Sequence, residues 1–154
     1  MQAIAIRQPV PLTPQQAQDL GKSYRPNRLT IIVNHLMMCA QKGLRTKYAD
    51  INMICKVRSH HEVRILLIHV FDLCMDNGWP IYNSLVRNQD PNTKEPSDVT
   101  GNGYFEYAEK VMKIKIEDRD HFLKAETKRC FNTPLPPYRD VSIAIENHIL
   151  KHNL

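Results

Sequence analysis

The sequence predicts a mostly helical α+β protein that folds as one compact unit. Its 154 residues, of which 42% are hydrophobic and 24% charged, have the size and composition of an ordinary globular domain. Apolar residues recur at spacings of three and four over several long segments, which is the period of a helix packed along one side. Runs of β-branched and aromatic residues are short and few, so strands should be a minor part of the fold.

Three helices are predicted in succession in the first half of the chain. The first covers residues 28–42 and ends at Gly43, because glycine readily adopts the left-handed conformation that stops a helix. Thr46 is expected to cap a short second helix. Ser59 and Glu62 have the S-x-x-E spacing of a capping box and predict the start of a third helix. The apolar face of the first helix consists of Leu29, Ile32, Val33, Leu36, Met37 and Ala40.

A hairpin is predicted after the third helix. Residues 81–88 have the composition of a strand, residues 89–101 form a polar loop, and residues 104–107 return as a second strand after a glycine turn. A hairpin that directly follows three helices with short joints is the wing of a winged helix. Residues 27–107 are therefore expected to form a winged helix-turn-helix-like core.

The flanking segments are expected to pack on this core within the same compact unit. Residues 1–26 form an N-terminal extension with one short strand and one short helix. Residues 108–154 form a C-terminal helical region. Ile143 and Leu150 lie beside the apolar stripe of its last helix, and a two-sided helix of this kind suggests a homodimer.

Basic residues are concentrated in the first part of the chain. Residues 1–60 carry nine Lys or Arg and two acidic residues, whereas the remainder is slightly acidic, and the whole chain has a formal net charge of +5. Such a distribution fits an anionic partner, of which nucleic acid is the commonest. A solvated basic surface without a partner is the other interpretation.

The start of the third helix and the wing supply the candidate DNA contacts. In a helix-turn-helix, the first residues of the recognition helix face base edges and phosphates, and the wing touches the DNA backbone. An ordinary three-helix core with a solvated helix end is the alternative for this segment. The candidate DNA-binding residues are Arg45, Thr46, Lys47, Lys56, Arg58, Ser59, His60, His61, Arg64, Arg87, Asn88 and Lys94.

Residues 29–104 resemble the winged-helix DNA-binding half of the alkylguanine-DNA alkyltransferase and alkyltransferase-like proteins. The resemblance rests on the run 46–51 that begins with threonine, on Arg58-Ser59 ahead of the third helix, and on Trp79-Pro80 before a valine-rich strand and a glycine turn. It implies a winged helix that binds DNA. The Pro-Cys-His-Arg reactive motif of that family is absent, and residues 81–85 stand in its place. Without a thiolate nucleophile, no alkyl transfer to the protein is expected.

The four cysteines have neither the spacing of a disulfide scaffold nor that of a zinc site. Cys39, Cys55, Cys74 and Cys130 include no C-x-x-C pair, and three of them lie in apolar helical segments. We therefore expect buried free thiols and no bound metal.

The sequence therefore predicts a non-catalytic DNA-binding protein without a cofactor. It contains no phosphate-binding loop and no G-x-S-x-G elbow. A metal-dependent nuclease is the enzyme alternative, because acidic residues lie near Lys94 and again at residues 117–120. The other alternative is a small protein–protein interaction module, an inhibitor or adaptor that uses the winged-helix surface. A cytoplasmic location without a membrane is expected, because neither a membrane span nor an export signal is present.

Overall fold

The computed structural model describes residues 25–57 and 59–154, and helices dominate this part of the chain. It contains helices α1 (Arg25–Lys42), α2 (Tyr48–Cys55), α3 (His60–Asn77), α4 (Asn102–Glu106), α5 (Arg119–Asn132) and α6 (Tyr138–His152). Two short strands, β1 (Thr46–Lys47) and β2 (Val86–Arg87), form a parallel pair. A 3-10 turn covers Tyr82–Leu85 and a π-helical turn covers Tyr107–Val111. The prediction of a mostly helical fold is confirmed, whereas the strand and helix predicted within residues 1–26 lie outside the described residues.

Helix α1 is the centre of the core. It packs against α2, α3, α5, α6 and the 3-10 turn, and Leu29, Ile32 and Leu36 are fully buried. Burial of each such side chain stabilises the fold by about 1.5–3 kcal/mol. On its N-terminal side the helix extends at least to Arg25, three residues before the predicted start at residue 28. Gly43 has a φ of +68°, which confirms the predicted left-handed stop.

Helix α3 begins as the capping pattern predicts, with one difference. The Ser59 hydroxyl accepts a hydrogen bond of 3.2 Å from the Glu62 backbone N–H, which satisfies one of the unpaired donors of the first turn. The Glu62 carboxylate does not complete the box. It pairs with the Arg25 guanidinium at 2.7 Å and so ties the start of α3 to the start of α1.

The predicted cap of α2 is wrong. The N-cap residue is Lys47, and its side chain makes no capping bond. Thr46 lies in β1 opposite Val86, and its hydroxyl is 2.9 Å from His35 Nε2. The pairing with a distant strand takes Thr46 away from the helix end that its local sequence favours.

The two strands predicted for the wing hairpin, residues 81–88 and 104–107, are also wrong. Within residues 81–88, only Val86–Arg87 is a strand, and residues 81–87 are all buried. Asn83 and Ser84 bond to the Leu67 carbonyl and the Tyr104 hydroxyl, which favours a compact turn over an extended strand. Tyr104 and Phe105 lie in α4, not in a returning strand, and both side chains are buried against Phe71 in a second aromatic cluster.

The intervening loop instead folds back on itself. The Asn88 N–H donates to the Val99 carbonyl at 2.8 Å, and the Asp90 N–H donates to the Glu95 carbonyl at 2.8 Å. An antiparallel bridge joins Gln89 to Pro96 between them. Residues 88–99 therefore form a short antiparallel turn, which we name the 88–99 ribbon.

The C-terminal helices follow the prediction closely. Asp118 caps α5 through the His121 N–H at 3.0 Å. Helix α6 begins at Tyr138, so Asp140 lies in its first turn. Ile143 and Leu150 are exposed on α6, at 45% and 73%, and the homodimer stays a prediction. Among the described helices, none has both the length and the apolar character that a bilayer crossing requires.

Candidate nucleic-acid interface and a separate basic cleft

The start of α3 is exposed and polar. Ser59, His60, His61 and Arg64 are all exposed, and the helix behind them has 18 residues. The N-terminus of such a helix carries a partial positive charge and unpaired backbone N–H groups, which favour an anion. The predicted recognition end of α3 is thus free to meet a ligand.

Lys56 adds a second cation beside this helix end. It is exposed, has a left-handed φ of +53° as the C-cap of α2, and its carbonyl accepts a 3.3 Å hydrogen bond from Arg28. Among the described residues, neither Lys56 nor Arg64 forms an ion pair. We call Lys56, Ser59, His60, His61 and Arg64 the α3 face. Arg58 belongs to the same prediction and lies outside the described residues.

A largely apolar cleft opens next to the α3 face. It has a volume of about 590 Å³ and lies between α3 on one side and α4 with the π-helical turn on the other. His60 and Arg64 are among its lining residues, so the Arg64 guanidinium of the α3 face borders an apolar hollow. Asn83 also lines it, and its buried Oδ1 has no hydrogen-bond partner among the described residues.

Three further predicted DNA contacts lie in or beside the 88–99 ribbon: Asn88 and Lys94 within it, and Lys47 in β1. Asn88 and Lys94 are exposed. The Lys47 ammonium donates to the Lys94 carbonyl at 2.8 Å and approaches Gln89 Oε1 at 3.4 Å. Lys47 therefore holds the ribbon against β1, and its charge is not neutralised by a carboxylate.

Two of the predicted DNA contacts, Thr46 and Arg87, have buried side chains. Thr46 and Arg87 are each only 3% exposed. Thr46 bonds to His35 inside the fold. Parallel pairing of β1 with β2 places Arg87 opposite Lys47 and directs its guanidinium toward α5, where it donates to the Thr127 hydroxyl at 2.7 Å. Neither side chain is available at an outer DNA surface.

Arg87 lines a second cleft, of about 550 Å³, between the β pair and α5. Arg45, Lys124 and Lys128 line it as well, together with the carboxylates of Asp98 and Asp120. We call it the Arg87 cleft. Arg45 was predicted as a DNA contact; it is half-buried and pairs with Asp98 at 2.6 Å. The sequence gives no local sign of this cleft, because its residues are up to 87 positions apart.

Three histidines that the sequence did not single out, His69, His148 and His152, lie close together. His69 Nδ1 and His148 Nε2 lie 2.9 Å apart, and the His152 ring stands 4.2 Å from the His148 ring. Burial, followed by the neighbouring His152 and His69, lowers the pKa of His148 to about 4. The i, i+4 spacing of His148 and His152 was the only sequence signal for this group.

Two of the acidic residues near Lys94 and within residues 117–120, Asp90 and Asp118, hold local backbone structure. Asp90 accepts backbone bonds from Asn92 and Thr93, which lower its pKa, and Asp118 caps α5. Within residues 25–57 and 59–154, no three His, Cys, Asp or Glu side chains form a group that could hold a metal ion.

The prediction of buried free thiols is confirmed for all four cysteines. Burial raises the pKa of Cys55 to about 11 and that of Cys74 to about 12. These thiols are therefore protonated at neutral pH and are poor nucleophiles.

Comparison of the chain with protein-family models, with curated proteins and with solved structures gives no match. The resemblance of residues 29–104 to the DNA-binding half of the alkyltransferases accordingly stays a prediction.

Proposed function

We propose that this protein is a non-catalytic DNA-binding protein that uses the α3 face. In this proposal α1, α2 and α3 act as a helix-turn-helix unit with α3 as the recognition helix, and the 88–99 ribbon takes the place of a wing. The observation that carries the proposal is an exposed N-terminus of a long helix beside Lys56 and Arg64, neither of which forms an ion pair within residues 25–57 and 59–154.

The charges on the α3 face support a phosphate partner. Lys56 and Arg64 are exposed without ion pairs, whereas several other surface cations of the described chain are paired, for example Arg119 with Glu109 and Lys151 with Asp76. Unpaired Lys and Arg side chains at a helix N-terminus are the groups that neutralise DNA phosphates. His60 and His61 lie between them, within the first turn, where side chains reach base edges.

The matched test compares two double variants of equal charge. Lys56→Gln with Arg64→Gln removes two cations from the α3 face. Lys42→Gln with Arg139→Gln removes two exposed cations elsewhere. Lys42 ends the 18-residue α1, roughly 20 Å along the axis from the Arg28 that touches Lys56.

The measurement is the electrophoretic retardation of a short DNA duplex by each protein variant at low salt. We expect the α3-face variant to lose at least about tenfold in affinity, and the control variant to stay within about twofold of the wild type. Equal losses in the two variants would show attraction by net charge alone and would overturn the assignment to the α3 face.

A second candidate function is a protein–protein interaction module, and the apolar cleft favours it. Ile68 and Val111 stand at this cleft with 39% and 56% of their surfaces exposed. Apolar grooves rimmed by polar residues commonly receive the apolar face of a partner segment. This candidate predicts no DNA retardation by the wild type even at low salt.

A further inference from the structure

The Arg87 cleft contains a buried positive charge that forms no direct ion pair with a carboxylate of the described residues. Arg87 is 3% exposed, and its guanidinium donates to the Ser84 carbonyl at 2.8 Å, the Ser97 carbonyl at 3.3 Å and the Thr127 hydroxyl at 2.7 Å. All three acceptors are neutral. A guanidinium has five N–H donors, so two remain unused. A buried charge is costly unless an opposite charge compensates it.

A second guanidinium approaches the same place. Arg45 donates to the Ser97 carbonyl at 3.2 Å, so two like charges converge on one oxygen atom. Asp98 compensates Arg45 at 2.6 Å, but this carboxylate is 85% exposed and makes no ion pair with Arg87. The two arginines therefore repel each other at the inner end of the cleft.

Helix α5 adds further positive charge at the outer end. Lys124 and Lys128 are four residues apart, lie on the same side of α5, line the cleft and are exposed. The described lining residues include four cations and two carboxylates, which leaves an excess of two positive charges. Phe131 and Leu123 form an apolar wall beside them.

We propose that the Arg87 cleft binds a phosphate group, with Arg87 and Arg45 at its base and Lys124 and Lys128 at its mouth. A phosphate dianion matches the excess charge of the cleft, and its oxygens accept the paired N–H donors of an arginine fork. The site shares no residue with the α3 face, and we assign to it a terminal or free phosphate.

The first test measures binding of inorganic phosphate to the full chain. Phosphate is titrated calorimetrically at constant ionic strength, with chloride as the reference ion. The variant Lys124→Gln with Lys128→Gln removes two exposed cations from the cleft, so its fold should be unchanged. The variant Lys56→Gln with Arg64→Gln removes the same charge from the α3 face and is the control.

We expect phosphate affinity to fall at least tenfold in the α5 variant and to stay within twofold in the α3-face variant. Arg87→Lys keeps the charge but loses the fork, and a similar tenfold loss is expected there. Phosphate that binds no better than chloride, or that binds both double variants equally, would overturn the proposal. Because the two double variants touch different residues, failure here leaves the DNA test intact, and the reverse also holds.

A second arm separates the sources of the phosphate. A short single-stranded oligonucleotide with a 5′-phosphate is compared with the same oligonucleotide ending in a hydroxyl. Tighter binding of the phosphorylated form than of the hydroxyl form assigns the cleft to a nucleic-acid end. The other outcome is that the phosphorylated form binds no tighter than the hydroxyl form, whereas inorganic phosphate does bind. That outcome assigns the Arg87 cleft to a small phosphate compound.

Discussion

Arg64 and Arg87 show how position decides what a cation contributes to this protein. Arg64 is exposed on the α3 face and has no ion pair among the described residues. Arg87 is 3% exposed and donates hydrogen bonds to three oxygen atoms, which belong to the 3-10 turn, the 88–99 ribbon and α5. The first side chain is free for a ligand and contributes little to stability. The second connects parts of the fold, and its charge also creates a need for an anion.

The largest expected effect comes from removal of the buried cation. Arg87→Ala eliminates three hydrogen bonds and leaves a void, so we expect the free energy of unfolding to fall by about 3 kcal/mol. Arg64→Ala should change it by less than about 0.5 kcal/mol, because exposed groups without partners contribute little. Denaturant unfolding of both variants measures the difference. Similar values for the two would contradict the contrast between the regions.

The next largest expected effect is on the pH dependence of stability, and it compares a buried histidine with an exposed one. The folded-state pKa of His148 is about 4, below the ordinary value of 6.5, so the unfolded chain binds its proton first as the pH falls. Stability from His148 is therefore complete above pH 6.5 and is lost as the pH falls toward 4. We expect a loss of roughly 2 kcal/mol over this range.

Substitution separates buried from exposed histidine. His148→Gln should flatten the dependence of unfolding free energy on pH between 6.5 and 4, because the titrating group is gone. His61→Gln, on the exposed α3 face, is the matched control variant. A profile that keeps its slope in the His148 variant would assign the acid sensitivity to other groups, such as His69, whose pKa burial also lowers.

The smallest expected effect is at the cap of α3. Ser59→Ala removes the bond to the Glu62 N–H and should cost about 1 kcal/mol of unfolding free energy. Ser59→Asp keeps an acceptor at the cap and should restore that stability, while it places a negative charge on the α3 face. DNA affinity should therefore fall in the aspartate variant even though its thermal midpoint recovers. Parallel changes in affinity and stability would argue against a direct role of this face.

The elements predicted well are those with local signals. Helix α1 has a continuous apolar stripe and a glycine stop, and the first turn of α3 has a serine that bonds three residues ahead. Such interactions depend on neighbours in the sequence, so spacing alone reveals them.

The elements predicted poorly depend on distant partners. Thr46 pairs with Val86, and Asn83 reaches back to the Leu67 carbonyl, so neither position follows its local preference. Residues 81–87 are all buried, and the alternation that distinguishes a two-sided strand is missing there. The Arg87 cleft combines residues from β2, α5 and the segment before β1, which no sequence spacing brings together.

We propose that the protein binds DNA through phosphate contacts made by the α3 face. The salt dependence of the affinity for a DNA duplex measures these contacts. For about three phosphate contacts, affinity should fall roughly 40-fold as salt rises from about 50 to about 200 mM. In the variant with Lys56→Gln and Arg64→Gln, the slope of log affinity against log salt should decrease by about 2. An affinity that does not change with salt, or a slope that the variant leaves unaltered, would contradict the claim.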